Sequence, residues 1–173
     1  MEKLLLVVIL VARGVEGACP SGTICSCDCA PTAAGGPYGN CTDDWSVDAG
    51  TPNFWKVEDG AYTIDQTITS IPDERFQSCQ LDHVDLSSTN ILTIGSRAFK
   101  GSGIHSFTPP PGLRTIGDRA FYNEDNLGPL DFSNTALSLI EEYAFNRCDG
   151  ITSVAFPSSL HTIEGWAFER SGV

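Results

Sequence analysis

Residues 137–157 read LSLIEEYAFNRCDGITSVAFP, and in this stretch Ile140 is followed five residues later by Phe145. The same spacing occurs four more times in the chain. The pairs are Ile71/Phe76, Ile94/Phe99, Ile116/Phe121, Ile140/Phe145 and Ile163/Phe168. Successive phenylalanines are 23, 22, 24 and 23 residues apart. A sequence period of about 20 to 50 residues indicates a repeat protein, so the pairs predict a stack of similar coils.

Each repeat contains two apolar clusters. The first, Leu137-x-x-Ile140-x-x-x-Ala144-Phe145, has an irregular spacing that predicts a bend followed by a short helical turn. The second, Ile151-x-x-Val154-x-Phe156, ends in an alternating pair that predicts a short strand with one buried face. Strands one repeat apart are expected to form one parallel sheet with a spacing of about 4.8 Å, joined by right-handed connections.

The repeat pattern L-x-x-I-x-x-x-A-F-x-x-C-x-x-L-x-x-V-x-F-P resembles the BspA-type leucine-rich repeat, and residues 69–173 carry the resemblance. It implies a leucine-rich-repeat-type right-handed solenoid of short parallel β-strands, turns and short helical segments, with about 23 residues per repeat. Members of this family are typically secreted or cell-surface proteins of bacteria and protists, thought to bind host proteins, matrix proteins or neighbouring cells. The resemblance therefore implies recognition or adhesion without catalysis.

Residues 1–18 read as a secretory signal peptide. Lys3 precedes a nine-residue apolar run, 4–12, which suits a signal core and is too short to span a bilayer. A bacterial lipoprotein signal at Cys19 is the alternative, although Glu16 stands where that signal prefers an apolar residue. No later segment approaches about 18 uninterrupted apolar residues, so no transmembrane helix is expected. The mature chain is predicted to be secreted or held at a cell surface.

The rest of the 173-residue chain divides into three parts. Residues 19–41 form a Cys-rich segment with few large apolar side chains, and residues 42–68 form a cap or transition. Residues 69–173 hold four full repeats and a truncated fifth. The fifth stops at Ser171-Gly172-Val173, one step before its next strand, so this open coil marks either a truncated fragment or a surface that meets a partner. The oligomeric state does not follow from the sequence.

Seven cysteines fall into two groups. The first group should supply two disulfides and one remaining thiol, with a connectivity that the sequence does not fix. Its members are Cys19, Cys25, Cys27, Cys29 and Cys41. A thiolate metal cluster at Cys25, Cys27 and Cys29 is an alternative, but the usual C-x-x-C spacing and a nearby histidine are both absent. Asn40-Cys41-Thr42 is a sequon that predicts glycosylation of Asn40 in a eukaryotic host or else occurs by chance.

The second group is Cys79 and Cys148, which occupy equivalent places three repeats apart. Three strand spacings come to about 14 Å, whereas a disulfide tolerates Cα separations only up to about 7 Å. We therefore expect both to be buried free thiols that act as small apolar side chains.

The sequence contains no catalytic constellation. It lacks the H-E-x-x-H, G-x-S-x-G and P-loop motifs, and its carboxylates are scattered over repeat surfaces. The net charge of −12 argues against nucleic acid and anionic membranes as partners, because both attract basic patches. We therefore expect a protein that is not an enzyme and needs no cofactor and no metal.

Strand residues that alternate with buried ones should point outward and form two rows that could bind an extracellular protein or glycan. The first row is His83, Ser106, Pro129 and Ser153, and the second is Asp85, Thr108, Asp131 and Ala155. Two other hypotheses are a secreted Cys-rich inhibitor or toxin-like module at 19–41 carried on a repeat scaffold, and a truncated fragment without a function of its own.

Overall fold

The computed structural model of the chain describes residues 10–12, 55–58, 61–64, 67–78 and 81–173. In this part of the chain the secondary structure consists of twelve short strands and hydrogen-bonded turns, with no helix. The strands are β1 (Leu10–Ala12), β2 (Trp55–Glu58), β3 (Ala61–Ile64), β4 (Ser70–Ile71), β5 (Leu81–Asp85), β6 (Thr93–Ile94), β7 (Ser106–Thr108), β8 (Thr115–Ile116), β9 (Leu130–Asp131), β10 (Leu139–Ile140), β11 (Val154–Ala155) and β12 (Thr162–Ile163).

Five coils stack along a parallel sheet of five strands, ordered β4-β6-β8-β10-β12. We number them coil 1 to coil 5 after the repeat isoleucines Ile71, Ile94, Ile116, Ile140 and Ile163. Each repeat isoleucine pairs in register with that of the next coil. The predicted solenoid of parallel strands about 23 residues apart is therefore confirmed, while its handedness stays a prediction. The sequence had predicted a bend, not a strand, at the isoleucine.

The seven residues after each repeat isoleucine form what we call the turn segment, where a short helical turn was expected. The N–H groups at its third, fifth and seventh positions donate to carbonyls of the following coil. In coil 2 these donors are Arg97, Phe99 and Gly101, at 2.8 to 2.9 Å from their acceptors. The alternate N–H groups, such as that of Ala98, close turns inside the coil. An α-helix cannot form here because half of the donors it needs point to the neighbouring coil.

The third and seventh residues of every turn segment have a left-handed backbone, with φ between 53° and 63°. They are Glu74, Ser78, Arg97, Gly101, Arg119, Asn123, Tyr143, Arg147, Trp166 and Arg170. All but Gly101 carry a Cβ and so pay a conformational cost of about 1 kcal/mol or more each. The hydrogen bonds between coils hold this conformation wherever a following coil is present.

The predicted strands of the second cluster form two separate ladders, not one sheet. β5 pairs with β7, and β9 pairs with β11, both in parallel. In these ladders the N–H groups of Leu86 and Phe132 donate to the next coil at 2.9 and 2.8 Å. Pro109 occupies the equivalent place in coil 2, and proline has no N–H to donate. Pro109 thus removes one of the hydrogen bonds that would join β7 to β9, while the N–H of Gly128 still donates to the carbonyl of His105 at 2.9 Å.

Two further pairings involve the N-terminal part of the chain. β2 and β3 form an antiparallel hairpin with Trp55 opposite Ile64. β1, which lies within the predicted signal peptide, pairs antiparallel with β5, with Val11 opposite His83. Removal of the signal peptide stays a prediction, and it would leave this edge of β5 unpaired.

The core is a column of aromatic rings. The repeat phenylalanines stack face to face, with ring centroids 5.1 to 5.2 Å apart. Phe107 and Phe132 pack against this column at larger angles. The repeat isoleucines of coils 1 to 4 and the alanines that precede the phenylalanines, such as Ala120, are buried beside it, whereas Ile163 of coil 5 is 46% exposed. Because each coil covers only its neighbours, the centre of the stack contributes more to stability than its ends.

Replacing Phe121 by alanine should lower the free energy of unfolding by about 3 to 5 kcal/mol, because it removes a buried ring from between Phe99 and Phe145. Phe156→Ala, which truncates a ring that is 42% exposed, should cost clearly less. Urea unfolding followed by circular dichroism measures both. Equal losses would contradict the central role of the column.

Gly117→Ala should also destabilise the fold, by about 2 kcal/mol. A Cβ there would lie 2.8 Å from the carbonyl carbon of Gly95 and 2.9 Å from the carbonyl oxygen of Ile94, and these backbone atoms can move only together with coil 2. Gly165→Ala is the matched control, since a Cβ at Gly165 meets no atom within 4 Å. We expect the control to change the unfolding free energy by less than about 0.5 kcal/mol. A similar loss in both variants would refute the close approach of coils 2 and 3.

Candidate functional site

The two outward rows predicted from the sequence lie on the surface of the second ladders. Seven of their eight residues are exposed, and the eighth, Asp85, is half-buried. The register places His83 beside Ser106, Asp85 beside Thr108, and Asp131 beside Ala155. The rows fall on two ladders, and we call the part on coils 1 and 2 and the part on coils 3 and 4 two patches, although β7 and β9 still lie in contact. Whether either patch binds a partner stays a prediction.

The patch on coils 1 and 2 contains a cluster of polar side chains. His83 Nδ1 lies 2.7 Å from Ser106 Oγ. Asp82 lies between two imidazoles, with Oδ1 at 2.9 Å from His105 Nδ1 and Oδ2 at 3.7 Å from His83 Nε2. The Asp82 side chain is only 19% exposed, so it fixes the positions of its more exposed neighbours. The cluster offers a partner several hydrogen-bonding groups at fixed positions.

Asp82 and His105 were not among the predicted row residues. The rows assumed strict alternation, but Leu81 and Val84 are both buried although they are three residues apart. Two residues between them therefore face outward instead of one. The same spacing separates Ile104 from Phe107 and brings His105 to the surface next to Ser106. This three-residue spacing is visible in the sequence and could have identified both residues.

The two aspartates of the second row are held by their own loops. Asp131 Oδ1 accepts the N–H of Ser133 at 2.9 Å, and Asp85 Oδ1 accepts the N–H of Ser87 at the same distance. The side chain of Ser133, and then its N–H, lower the pKa of Asp131 below the ordinary value. Asp131 is therefore a fixed anionic group on the surface of coil 3.

A buried polar column runs beneath this surface, at the position three residues after each repeat phenylalanine. Its described members are Ser102, Glu124, Cys148 and Ser171, of which the first three are fully enclosed. Cys148 is a free thiol whose Sγ donates to the carbonyl of Phe121 at 3.0 Å. Burial raises the pKa of this thiol to about 12, so it stays protonated and is not a nucleophile. The equivalent Cys79 lies outside the described residues.

Glu124 is the unexpected member of the column, since its side chain is charged in water and only 1% exposed here. Its carboxyl oxygens accept the N–H groups of Ser102 and, at 2.7 Å, of Ile104 in the preceding coil. Burial is the largest influence and raises the pKa of Glu124 to about 8, against the opposing effect of these hydrogen bonds. The sequence offered one signal for this role, namely that Glu124 aligns with Cys79 and Cys148.

The remaining predicted site residues lie outside the part of the chain that the structure describes. They are Cys19, Cys25, Cys27, Cys29, Asn40 and Cys41, so their disulfides and glycan stay predictions. Within the described ranges, no group of three His, Cys, Asp or Glu side chains is arranged to hold a metal ion. The same ranges contain no helix of the length and apolarity that crossing a membrane requires.

Comparison with known proteins agrees with this architecture. Residues 56–173 match the family described as BspA type Leucine rich repeat region, in six copies. The chain belongs to the BspA-type leucine-rich repeat family. The match begins within the segment predicted to be a cap or transition, so repeat-like sequence extends to the N-terminal side of residue 69. Leucine-rich repeats of this type are generally non-catalytic and are often associated with cell surfaces and adhesion.

A solved structure similar to this BspA-type protein is a leucine-rich repeat protein from Bacteroides ovatus ATCC 8483. The two chains are 25% identical, with a TM-score of 0.45. The alignment covers 64% of this chain and 35% of the Bacteroides protein, so it spans about a third of that protein's length. No curated protein matches the chain.

The buried carboxyl of Glu124 predicts a pH-dependent stability for this BspA-type protein. A carboxyl whose pKa rises from 4.5 to about 8 on folding stabilises the folded state fully below pH 4.5. That stabilisation is lost as the pH rises to about 8, by about 1.4 kcal/mol for each pKa unit. Glu124→Gln removes the titration, so the difference in unfolding free energy between variant and wild type should change by a few kcal/mol over this range.

Urea unfolding of both proteins at about pH 5 and about pH 9 measures this difference. Glu169→Gln is the control, because Glu169 is exposed. If the curves for wild type and Glu124→Gln stay parallel across the pH range, Glu124 does not titrate between these values in the folded protein.

Proposed function

We propose that this protein is a secreted or cell-surface recognition or adhesion protein that binds an extracellular protein or glycan without chemical turnover. The binding surface is formed by the outward rows together with Asp82 and His105. The proposal rests on one observation above all: seven of the eight row residues are exposed and the rows are in register, while Val84, Phe107 and Leu130 between them are buried.

The shape and chemistry of this surface support binding of a flat or extended partner. Most row side chains are short, such as Ser106, Thr108, Ser153 and Ala155, so a partner can approach the strand backbone closely. His83, Asp82 and His105 add imidazole and carboxylate groups whose positions are fixed by mutual contacts. Extended surfaces of this kind are how repeat proteins commonly recognise their partners.

The sequence supports the same function in a separate way. The net charge of −12 disfavours nucleic acid and anionic lipid, which leaves proteins and glycans as the favoured partner classes. The predicted signal peptide at 1–18 and the cysteine-rich segment at 19–41 would suit an oxidising space outside the cell. Membership of the BspA-type family is consistent with that location.

A double variant, Ser106→Arg and Thr108→Arg, should weaken binding of the partner at least about tenfold, because two long side chains would block the patch on coils 1 and 2. Ser158→Arg, which makes the same change at an exposed turn away from the rows, should bind as the wild type does. A glycan and matrix-protein array identifies the ligand, and titration then compares the variants. Undiminished binding by a folded double variant would refute the proposed surface.

The rival hypothesis places the activity in the cysteine-rich segment. Deletion of residues 19–41 separates the two, since our proposal expects the deletion variant to keep its binding to the ligand found on the array. Loss of binding by that variant, with the circular dichroism spectrum of the repeats intact, would favour the cysteine-rich module instead.

A further inference from the structure

The loop that leads into β7 is one residue shorter in coil 2 than the equivalent loops of coils 3 and 4. It runs from the buried polar column to the next buried apolar residue, and we call it the column loop. In coil 2 one residue separates Ser102 from Ile104, whereas in coil 3 two residues separate Glu124 from Leu127. The column loop of coil 4 has the same length as that of coil 3.

The longer column loops each close a turn of their own. The N–H of Leu127 donates to the carbonyl of Glu124 at 3.0 Å, and the N–H of Ile151 donates to that of Cys148 at 3.1 Å. A turn of this kind joins residues that are three apart, and the column loop of coil 2 lacks one of them. Because Ile104 is fully buried, its N–H requires an acceptor from another coil.

Coil 1 also has a short column loop, and the backbone of coil 2 satisfies it. The N–H of Leu81 donates to the carbonyl of Ser102, the column residue of coil 2, at 2.8 Å. The matching acceptor for Ile104 would be the carbonyl of Glu124, but that carbonyl already accepts the N–H of Leu127. The side chain of Glu124 takes its place.

The carboxyl group of Glu124 binds the column loop of coil 2 at both ends. Oε2 accepts the N–H of Ile104 at 2.7 Å, and Oε1 accepts the N–H of Ser102. The other column side chains in the described part of the chain act in the opposite sense, since Ser102, Cys148 and Ser171 donate to backbone carbonyls. A carboxyl group suits this place because it offers an acceptor oxygen to each of two donors.

The anchored loop continues directly into the polar cluster on coils 1 and 2. The next two residues of the chain are His105 and Ser106. Nδ1 of His105 lies 3.0 Å from the carbonyl oxygen of Gly103, inside the loop, and 2.9 Å from Oδ1 of Asp82. Gly103 has a φ of 74°, and glycine itself has little preference for this conformation over others. The hydrogen bonds to Glu124 therefore define the shape of the loop.

We propose that Glu124 is a positioning residue of the candidate ligand surface, which holds the column loop of coil 2 in place and thereby sets the positions of His105 and Ser106. Contact of these two residues with a ligand rests on the proposed function. The anchoring of the loop can be measured without any ligand, so the two can fail separately.

Nuclear magnetic resonance can detect the anchoring hydrogen bond directly in the wild-type chain. We expect a scalar coupling across this hydrogen bond between the amide nitrogen of Ile104 and the side-chain carboxyl carbon of Glu124. The amide of Ile104 should also exchange with solvent within about tenfold of the rate of Leu127, although its acceptor is a side chain.

Glu124→Ser removes the carboxyl group and introduces the residue type that the column already has at Ser102. Hydrogen exchange at the amide of Ile104 should become at least about tenfold faster. The imidazole nitrogen signals of His105 should shift, while those of His161 in coil 5 should stay unchanged.

Glu141→Ser is the matched control. Glu141 also accepts a backbone N–H of the preceding coil, that of Asp118, but in a turn segment and not in a column loop. This variant should change neither the exchange rate of Ile104 nor the imidazole signals of His105.

A longer column loop in coil 2 should make Glu124 dispensable. Insertion of one aspartate between Ser102 and Gly103 copies the two-residue loop of coil 4 and gives Ile104 a turn of its own. In the Glu124→Ser background, this insertion should restore slow exchange at Ile104. A general loss of packing at position 124 would not be restored by it.

Three outcomes would overturn the proposal. The first needs no variant to fold: the wild-type chain shows no scalar coupling and fast exchange at Ile104. The second is a folded Glu124→Ser variant in which the amide of Ile104 is released but the signals of His105 do not move. The third is a folded insertion variant, checked by circular dichroism, in which Ile104 still exchanges fast.

Discussion

The structure depends on the direction of the backbone N–H groups in the turn segments. Alternate groups leave the coil and bind the next one, as Arg97, Phe99 and Gly101 do. In coils 1 to 4 this arrangement holds two residues of the turn segment in the left-handed region and sets the spacing between coils. The phenylalanine rings are then 5.1 to 5.2 Å apart, which allows them to stack in one column. Core packing and hydrogen bonding thus satisfy the same spacing.

The sequence predicted what depends on side-chain periodicity and missed what depends on backbone direction. The Ile and Phe spacing predicted the coils, their number of residues and most of the core. The ladder through the repeat isoleucines was missed because a strand of two residues, such as Thr93–Ile94, is too short to show alternation. The prediction of a short helical turn was wrong because an Ala-Phe pair at this spacing packs inward equally well from a series of hydrogen-bonded turns. Only the partners of the backbone hydrogen bonds distinguish a helical turn from these turns.

The same distinction applies to the candidate site. The outward rows were placed by alternation, and seven of the eight residues are exposed. Alternation fails where two buried residues are three apart, as Leu81 and Val84 are, and there Asp82 joins the surface unpredicted. Glu124 was missed because an isolated glutamate in a repeat is ordinarily exposed to solvent, so its residue type did not indicate its burial. Its burial follows from backbone donors in the preceding coil, and a sequence does not show those.

Other acidic side chains also accept backbone N–H groups between coils, and they change the meaning of the chain's acidity. The sequence analysis used the charge of −12 as evidence about the partner, yet several carboxylates accept backbone N–H groups of neighbouring coils. The carboxylate of Asp73 accepts the N–H of Ser96 at 2.8 Å. The carboxylate of Glu141 accepts the N–H of Asp118 at 2.9 Å, and that of Glu164 accepts the N–H of Glu142 in the preceding coil. A stack held by parallel ladders leaves N–H groups at the places where its strands end, and carboxylates satisfy them more strongly than neutral acceptors do. Part of the negative charge is therefore a consequence of how the coils are joined, so it is weaker evidence about the partner than composition alone suggests.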